Sequence, residues 1–173
     1  MGEQVTTADV VGRVVSQPGK MITGVPPFVF VMPKGWILDQ APGALCALRL
    51  SQEVDGFWVN ALITHDKVAR SVDFKSAAKV TWAKLQRSGV SNLVDRGERM
   101  MRFGNLPMYV RGCEFTPKDS DRALAQMHVQ FFAPVTEGGK VVDFFQLVLT
   151  APAGVMPTVA PAILELISTF RFT

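Results

Sequence analysis

The sequence is poor in cysteine and histidine, with two of each among 173 residues. Two cysteines cannot build a disulfide framework, and both Cys46 and Cys113 fall in strand-like segments, where buried thiols are common. We therefore expect two free structural thiols, with a single disulfide between them as the alternative. Neither His65 nor His128 has a second histidine or a cysteine pair at metal-binding spacing, so no metal site is predicted.

Long hydrophobic runs and blocks of like charge are also missing. No apolar stretch reaches the roughly 18 residues of a membrane span, and residues 1–20 lack the apolar centre of a signal peptide. The net charge of +3 is a small excess of 18 basic over 15 acidic residues, so no nucleic-acid partner is predicted. As written, the chain is expected in the cytoplasm, whereas a leader removed ahead of it would place it in the cell envelope.

Hydrophobic residues, in contrast, make up 48% of the chain and include 12 phenylalanines, which is ample for one core. Residues 1–26 are polar and interrupted by glycine and proline, so they are predicted to form an N-terminal arm, either flexible or ordered. Residues 27–173 are predicted to form a single domain.

Strand-like segments dominate this domain. Asp55-Gly56 supplies the positive φ angles of a tight hairpin turn, and Gly138-Gly139 provides a second turn between two long β-rich segments. Gly138-Gly139-Lys140 lacks the earlier glycine and the spacing of a phosphate loop, which favours a simple turn. The predicted strands are 28–32, 44–51, 57–65, 92–103, 108–115, 123–133 and 141–150.

Two segments have the 3.6-residue period of a helix. The first covers residues 71–88, with Ser71 as the predicted N-cap and Gly89 as the left-handed residue beyond its end. The second begins near Thr158 with Pro161 in its first turn. Its predicted buried stripe is Ile163, Leu164, Ile167 and Phe170. Runs of strands with inserted helices predict an α+β domain with a mostly antiparallel sheet of about six to seven strands, flanked by helices.

Two short motifs and the order of the elements carry a family resemblance. The aromatic-rich first strand ends in the turn Pro33-Lys34-Gly35-Trp36, and the closing helix ends in Ser168-Thr169-Phe170-Arg171-Phe172. With a central amphipathic helix and a long hairpin between these motifs, the segment from Pro27 to Thr173 resembles the Mog1/PsbP-like superfamily. It looks most like the actinobacterial LpqN/LpqT lipoprotein-type branch, with the DcrB-like (DUF1795) branch as the near alternative.

The resemblance implies an α/β/α sandwich that its members use mainly for binding partner proteins, membrane-complex subunits or chaperoned clients. It implies no shared catalytic residues. The sequence departs from the lipoprotein branch at Cys46, which lies deep in the chain without an apolar segment before it and is therefore not a lipidation site.

Alternation along the strands indicates a candidate binding surface on one face of the sheet. In 123–133 the odd-numbered positions are apolar, whereas the even-numbered positions carry polar groups framed by large apolar ones. If the strands align, this face is a concave surface suited to an amphipathic helix, an extended peptide or a lipid-like ligand. Its predicted binding residues are Arg49, Trp58, Asn60, Gln126, His128, Gln130, Phe132 and Gln146. The alternative is a solvent face, or one covered by a helix of the same chain.

Arginine and methionine form a second pattern, in residues 96–111. Such a surface is adaptable and could contact an acidic partner or an anionic membrane. The alternative is an edge strand guarded by charge. The arginines are Arg96, Arg99, Arg102 and Arg111.

Three functions follow from these patterns. The first prediction is a non-enzymatic binding or adaptor domain that engages a protein partner through the sheet face or its edge, in the setting of a membrane or cell-envelope complex. The second is a carrier or chaperone for a lipid, another small apolar ligand or a transmembrane segment. The third is an enzyme that uses Cys113 and His128, although an inert buried thiol is favoured. No catalytic residue and no cofactor are predicted, His65-Asp66 is interpreted as a solvated turn, and the oligomeric state is not indicated.

Overall fold

The computed structural model describes residues 7–17, 24–135 and 137–173, in which three helices and ten strands are found. The helices are α1 (Thr7–Val11), α2 (Phe74–Arg87) and α3 (Met156–Thr169). The strands are β1 (Val14–Gln17), β2 (Phe28–Val31), β3 (Trp36–Asp39), β4 (Cys46–Leu50), β5 (Asn60–Ala69), β6 (Ser91–Phe103), β7 (Leu106–Thr116), β8 (Leu124–Phe132), β9 (Val141–Pro152) and β10 (Arg171–Phe172). Within the described ranges, no helix combines the length and hydropathy needed to cross a membrane.

A seven-stranded antiparallel sheet in the order β3-β4-β5-β9-β8-β7-β6 organises the fold. The predicted α+β class and the six to seven strands are confirmed. The first predicted strand, β2, is not part of this sheet, because it pairs with β1 and β10 in a separate three-stranded sheet. Strand β1 lies within the predicted N-terminal arm, of which residues 1–6 and 18–23 are outside the described residues.

One face of the large sheet carries the main hydrophobic core. The core includes the fully buried rings of Phe28 from β2, Phe131 from β8 and Phe145 from β9. Helix α3 packs on the same side and contacts β2, β8 and β9. The small sheet and α3 therefore cover this face together, while α2 lies on the opposite face.

Helix α3 begins earlier than predicted, at Met156, so that Pro157 occupies its first turn and Pro161 lies inside the helix. The prediction for Pro161 is wrong because Pro157, whose missing N–H costs nothing in the first turn, already starts the helix there. The missing N–H of Pro161 leaves one helical acceptor, the carbonyl of the exposed Pro157, without its donor. The buried stripe contains Val159, Ile163, Leu166 and Ile167, whereas Leu164 is only half-buried.

Helix α2 is capped by Asp73 and not by Ser71 as predicted. The Asp73 carboxylate accepts a hydrogen bond of 2.7 Å from the Ser76 N–H, and hydrogen bonding from the Ser76 side chain and then from its N–H lowers the pKa of Asp73. Gly89 follows the helix with a φ of 80°, as expected for the residue beyond a helix end.

The hairpin between β4 and β5 turns at Asp55 and Gly56, which have φ angles of 52° and 68°. Strand β5 starts three residues later than predicted, at Asn60, because Phe57 instead closes the turn through a bridge to Val54. The register pairs Arg49 with Asn60, and this pair begins the candidate surface.

Candidate functional site

The eight predicted binding residues lie on one side of the large sheet, the side on which α2 packs. Asn60 pairs with Thr150, which pairs in turn with Gln126, so these positions share one face across three strands. Gln146 pairs with Gln130 in the same way. Helix α2 divides this predicted surface into a buried part on β8 and β9 and an open part on β4 and β5.

The buried part is a chain of side-chain hydrogen bonds beneath α2. Gln130 Nε2 donates to Thr81 Oγ1 of α2 and to Gln146 Oε1, both at 3.0 Å. Gln146 Nε2 then donates to His128 Nδ1 at 3.3 Å, and His128 Nε2 donates to Gln126 Oε1 at 2.9 Å. The bond from Gln130 to Thr81 attaches α2 to the sheet. Because Gln130 and His128 are buried, the network is covered by α2 and closed to solvent.

The network requires a neutral His128, because one ring nitrogen accepts a hydrogen bond while the other donates. Burial, together with the smaller effect of the nearby positive charge of Arg111, lowers the pKa of His128 to about 4. Phe132 lies at the end of this covered part, where its ring contacts Phe74 of α2 at a centroid distance of 5.1 Å. The alternative of a face covered by a helix therefore describes this half of the surface.

Cys113 lies on the α2 side of β7, and the topology does bring it near His128. The two side chains border a void of about 10 Å³, which is close to the minimum for one water molecule. Burial raises the pKa of the Cys113 thiol to about 11, so the thiol and the imidazole are both uncharged at neutral pH. This is the opposite of the thiolate and imidazolium pair that a cysteine nucleophile needs.

Cys46 lies on the other side of the same sheet, where it packs in the main core next to Ile63. Both cysteines are free and buried, and burial raises the pKa of Cys46 to about 11 as well. The prediction of two free thiols is confirmed, because the sheet itself separates the two sulfur atoms.

Both thiols are therefore expected to react slowly with a disulfide reagent in the native protein. At pH 7.5 we expect the reaction to be at least about 100-fold slower than in urea, since both burial and the raised pKa limit the thiolate. The reaction is followed by absorbance, and a Cys46→Ala variant leaves Cys113 as the one thiol that contributes to the signal. Rapid native reaction of Cys113 would contradict this assignment and return the thiol to consideration as a nucleophile.

The open part of the predicted surface is built around Trp58. The Arg49 guanidinium lies 4.3 Å above the centre of the Trp58 ring system, and Asp39 holds Arg49 in place through a 2.8 Å ion pair. Asn60 Nδ2 donates a hydrogen bond of 2.9 Å to the Trp58 carbonyl. The indole is 43% exposed and borders an open cleft of about 490 Å³. A large aromatic surface is thus presented to solvent in a fixed orientation.

A second groove, which the sequence reading missed, lies on the opposite face between α3 and β7-β8. Its volume is about 470 Å³, and Arg96 and Arg99 stand at its rim. The signal that could have found it is the set of small residues on the otherwise bulky apolar face. These residues are Gly112, Ala125, Ala153 and Ala160.

Comparison with known proteins identifies the fold. No protein-family model and no curated protein sequence match the chain. Among solved structures, LpqN of Mycobacterium tuberculosis, which is involved in cell envelope biogenesis, aligns with a TM-score of 0.68 and 17% identity over 99% of both chains. The chain has a Mog1/PsbP-like fold. The resemblance noted in the sequence is confirmed at the level of the fold.

Two further structures show how widely the Mog1/PsbP-like fold is shared. The cyanobacterial PsbP (CyanoP) of Synechocystis sp. PCC 6803 aligns with a TM-score of 0.58 and 13% identity over 100% of this chain and 99% of that chain. The Ran-binding protein Mog1p of Saccharomyces cerevisiae aligns with a TM-score of 0.56 and 9% identity over 92% and 96% of the two chains. At these identities the likeness concerns the backbone and not the site residues.

Two of the four clustered arginines are structural. Arg111 pairs with Asp95 at 2.5 Å and stacks on the Trp82 ring of α2 at 4.0 Å. Arg96 pairs with Glu114 at 2.7 Å. The remaining two, Arg99 and Arg102, are exposed on β6 and form no ion pair with any residue of the described ranges.

The interpretation of His65-Asp66 as a solvated turn is wrong, since both residues lie inside β5. His65 Nε2 is 2.7 Å from Asp143 Oδ1, and the same oxygen is 2.8 Å from Lys67 Nζ. Burial alone would raise the pKa of Asp143, but the hydrogen bonds from Lys67 and His65 lower it. The group is a cross-strand ion cluster at the rim of the sheet.

Proposed function

We propose that this protein is a non-enzymatic binding or adaptor domain that engages a protein partner through the open surface around Trp58. The observation that carries the proposal is the exposed indole, which Arg49 and Asp39 hold in one orientation beside the cleft. Tryptophan and arginine are the side chains most enriched among residues that dominate binding energy. Because Arg49 is already stacked and ion-paired, little side-chain entropy remains to be lost on binding.

A protein suits this surface better than a small molecule. The cleft is open along β4 and β5, and its walls mix apolar groups such as Ala47 and Leu62 with the polar side chains of Asp39 and Asn60. Such an apolar centre with a polar rim is typical of protein interfaces. The likeness to the Ran-binding protein Mog1p supports a protein-binding role. The likeness to LpqN, which is involved in cell envelope biogenesis, supports a partner in a membrane or cell-envelope complex.

The Cys113 and His128 pair supports the same proposal, because it lacks the protonation states of a nucleophile and its base. The pKa of the thiol lies at about 11 and that of the imidazole at about 4. The space that borders both groups is the small void beneath α2. A substrate could reach them only after α2 had left the sheet.

Replacing Trp58 with alanine is expected to weaken the protein partner's binding about 30-fold, which is the loss of about 2 kcal/mol typical of a central interface residue. Partners are captured by the tagged protein from an extract of its source and quantified by mass spectrometry. The strongest one is then purified and titrated by calorimetry. Stability is expected to fall by about 1 kcal/mol, since Trp58 is only 43% exposed and its loss removes the stack with Arg49.

Val80→Ala is the matched control for this substitution. Val80 is 56% exposed on α2 and does not line the Trp58 cleft, so its loss is expected to leave the affinity unchanged. Arg49→Lys provides a second comparison, because it keeps the charge but loses the planar stack on the indole. A partner that binds wild type and the Trp58→Ala variant equally would contradict the proposal.

A second candidate function, the carriage of an apolar ligand, is favoured by the groove between α3 and β7-β8. Met127, Met156 and Val110 supply its apolar lining. Native mass spectrometry of gently purified protein distinguishes the two functions. A discrete added mass that is lost on denaturation indicates a carrier, whereas a stoichiometric protein complex without added mass indicates the binding domain.

A further inference from the structure

Strand β6 is a long outer edge of the seven-stranded sheet, opposite the β3 edge. Its irregularities are confined to the first part of the strand, between Ser91 and Glu98. From Glu98 to Phe103 it pairs regularly with β7, so the outward main-chain groups of this segment form an uninterrupted edge. Such an edge can accept an additional strand from another chain.

A basic groove runs beside this edge, between β6 and the first half of α2. Its volume is about 670 Å³, and its basic lining residues are Lys75, Lys79, Arg99 and Arg111. Glu98 is the one acidic residue among the described residues that line it, and the Tyr109 hydroxyl already donates a hydrogen bond to the Glu98 carboxylate. The groove therefore carries a net positive charge.

Most of this positive charge is not neutralised within the described part of the chain. Arg111 is paired with Asp95, but Lys75, Lys79 and Arg99 form no ion pair with a described carboxylate. Arg99 pairs with the core residue Val110, so its side chain lies on the α3 face of the edge, while Lys75 and Lys79 lie on the α2 face. Arg102 adds a further exposed cation three residues along β6.

The groove also has an apolar component. Met100 is 56% exposed and borders the groove together with the rings of Phe74 and Tyr109, which stack at a centroid distance of 6.2 Å. Cations on both faces of the strand edge, beside an exposed apolar side chain, match an extended segment that carries acidic residues on both of its faces and an apolar residue next to them.

We propose that the β6 edge binds an extended acidic segment of a partner protein, which adds to the sheet as an eighth strand. Its main chain pairs with residues 98–103, and its carboxylates lie against Lys75, Lys79 and Arg99. An apolar side chain of the segment packs on Met100. This surface lies at the edge of the sheet remote from Trp58, so it goes beyond the proposed function and stands independently of it.

Selection of a randomised octapeptide phage library on the whole protein tests the proposal. The expected consensus is rich in aspartate and glutamate and includes a valine, isoleucine or other apolar residue among them. The selected peptide is then labelled and titrated by fluorescence anisotropy. A Lys75→Glu/Arg99→Glu variant is expected to bind it at least about tenfold more weakly, and increased salt is expected to weaken wild-type binding.

Lys84→Glu/Arg87→Glu is the matched control. It makes the same change of charge at exposed positions in the last turns of α2, away from the groove, and is expected to retain binding within about twofold of wild type. The Lys75→Glu/Arg99→Glu variant should fold, since Lys75 lies in the first turn of α2, where a carboxylate favours the helix dipole, and Arg99 is exposed. The control variant should also fold, at a cost of about 0.3–1 kcal/mol for each carboxylate placed in the last turns of the helix. Far-ultraviolet circular dichroism and urea unfolding check this.

A peptide methylated on alternate backbone nitrogens separates strand addition from simple charge attraction. One of the two methylation registers is expected to abolish binding, because it removes the hydrogen bonds that an added strand makes to β6. The proposal is overturned if no acidic consensus emerges, if both charge variants weaken binding equally, or if neither methylation register has an effect. Binding of phosphatidylglycerol vesicles in place of the peptide, lost in the Lys75→Glu/Arg99→Glu variant, would assign the surface to an anionic membrane and also overturn it.

Discussion

A Phe145→Ala variant is expected to lose about 3–5 kcal/mol of the free energy of unfolding. Phe145 is fully buried, and its ring stacks parallel on that of Phe131 at a centroid distance of 5.6 Å. The Phe145 ring also contacts the rings of Phe28 and Phe172, at centroid distances of 5.7 Å and 5.2 Å. One side chain thus joins the large sheet to the small one, and its removal leaves a cavity that rigid neighbours on several elements cannot fill.

Urea unfolding at pH 7.5, followed by circular dichroism, measures this loss. Phe145→Leu is the milder variant for the case in which the alanine variant does not fold, and a loss of about 1–2 kcal/mol is expected for it. Phe172→Ala serves as the matched control, because its ring belongs to the same cluster but is only half-buried at the chain end. A loss below about 1 kcal/mol for Phe145→Ala would show that the core does not join the two sheets in this way.

Acidification from pH 7.5 to pH 5 is expected to reduce stability by about 2 kcal/mol through His128 alone. The unfolded chain takes up a proton at the ordinary histidine pKa of 6.5, whereas burial lowers the pKa of the folded state to about 4. Between these values the unfolded state binds more protons than the folded state. The stability is therefore fully present above pH 6.5 and falls as the pH approaches 4, by about 3 kcal/mol in total.

His128→Gln is the informative variant, since glutamine keeps a donor and an acceptor for Gln126 and Gln146 but does not titrate. Urea unfolding between pH 7.5 and pH 5 should show a smaller decline for this variant than for wild type. The carboxylates with lowered pKa, such as Asp95 and Asp143, contribute only at lower pH, so they do not obscure this range. Identical pH profiles for the two proteins would contradict the assignment of a buried neutral imidazole.

The strands and their faces could be predicted from the sequence because alternation and turn chemistry are local properties. Asp55-Gly56 and the period of β8 are sufficient to define two hairpins and the apolar face. Which strands pair is not local, and β2 illustrates this, since its apolar pattern is equally compatible with the large sheet and with the small one. β1 escaped notice because a four-residue strand with a single buried side chain, Val15, has too short a pattern to stand out.

The division of the candidate surface could not be predicted for a similar reason. Helix α2 buries only two small residues fully, Ala77 and Ala78, so its sequence gives little indication of how closely it approaches the sheet. Thr81, an ordinary helix residue in the sequence, provides the hydroxyl that accepts a hydrogen bond from Gln130 in the glutamine network. The polar face was therefore predicted correctly as a pattern, while its covered half serves the docking of α2.

Hydrogen–deuterium exchange of the protein, free and bound to its purified partner, tests the Trp58 surface most directly. The expected result is slower exchange on binding in peptides that cover β4 and the first residues of β5, from Cys46 to Leu62, with the Trp58→Ala variant losing this protection. Unchanged exchange throughout this segment in a fully formed complex would contradict the proposed surface. Protection limited to residues 98–103 would place the interface at the β6 edge instead.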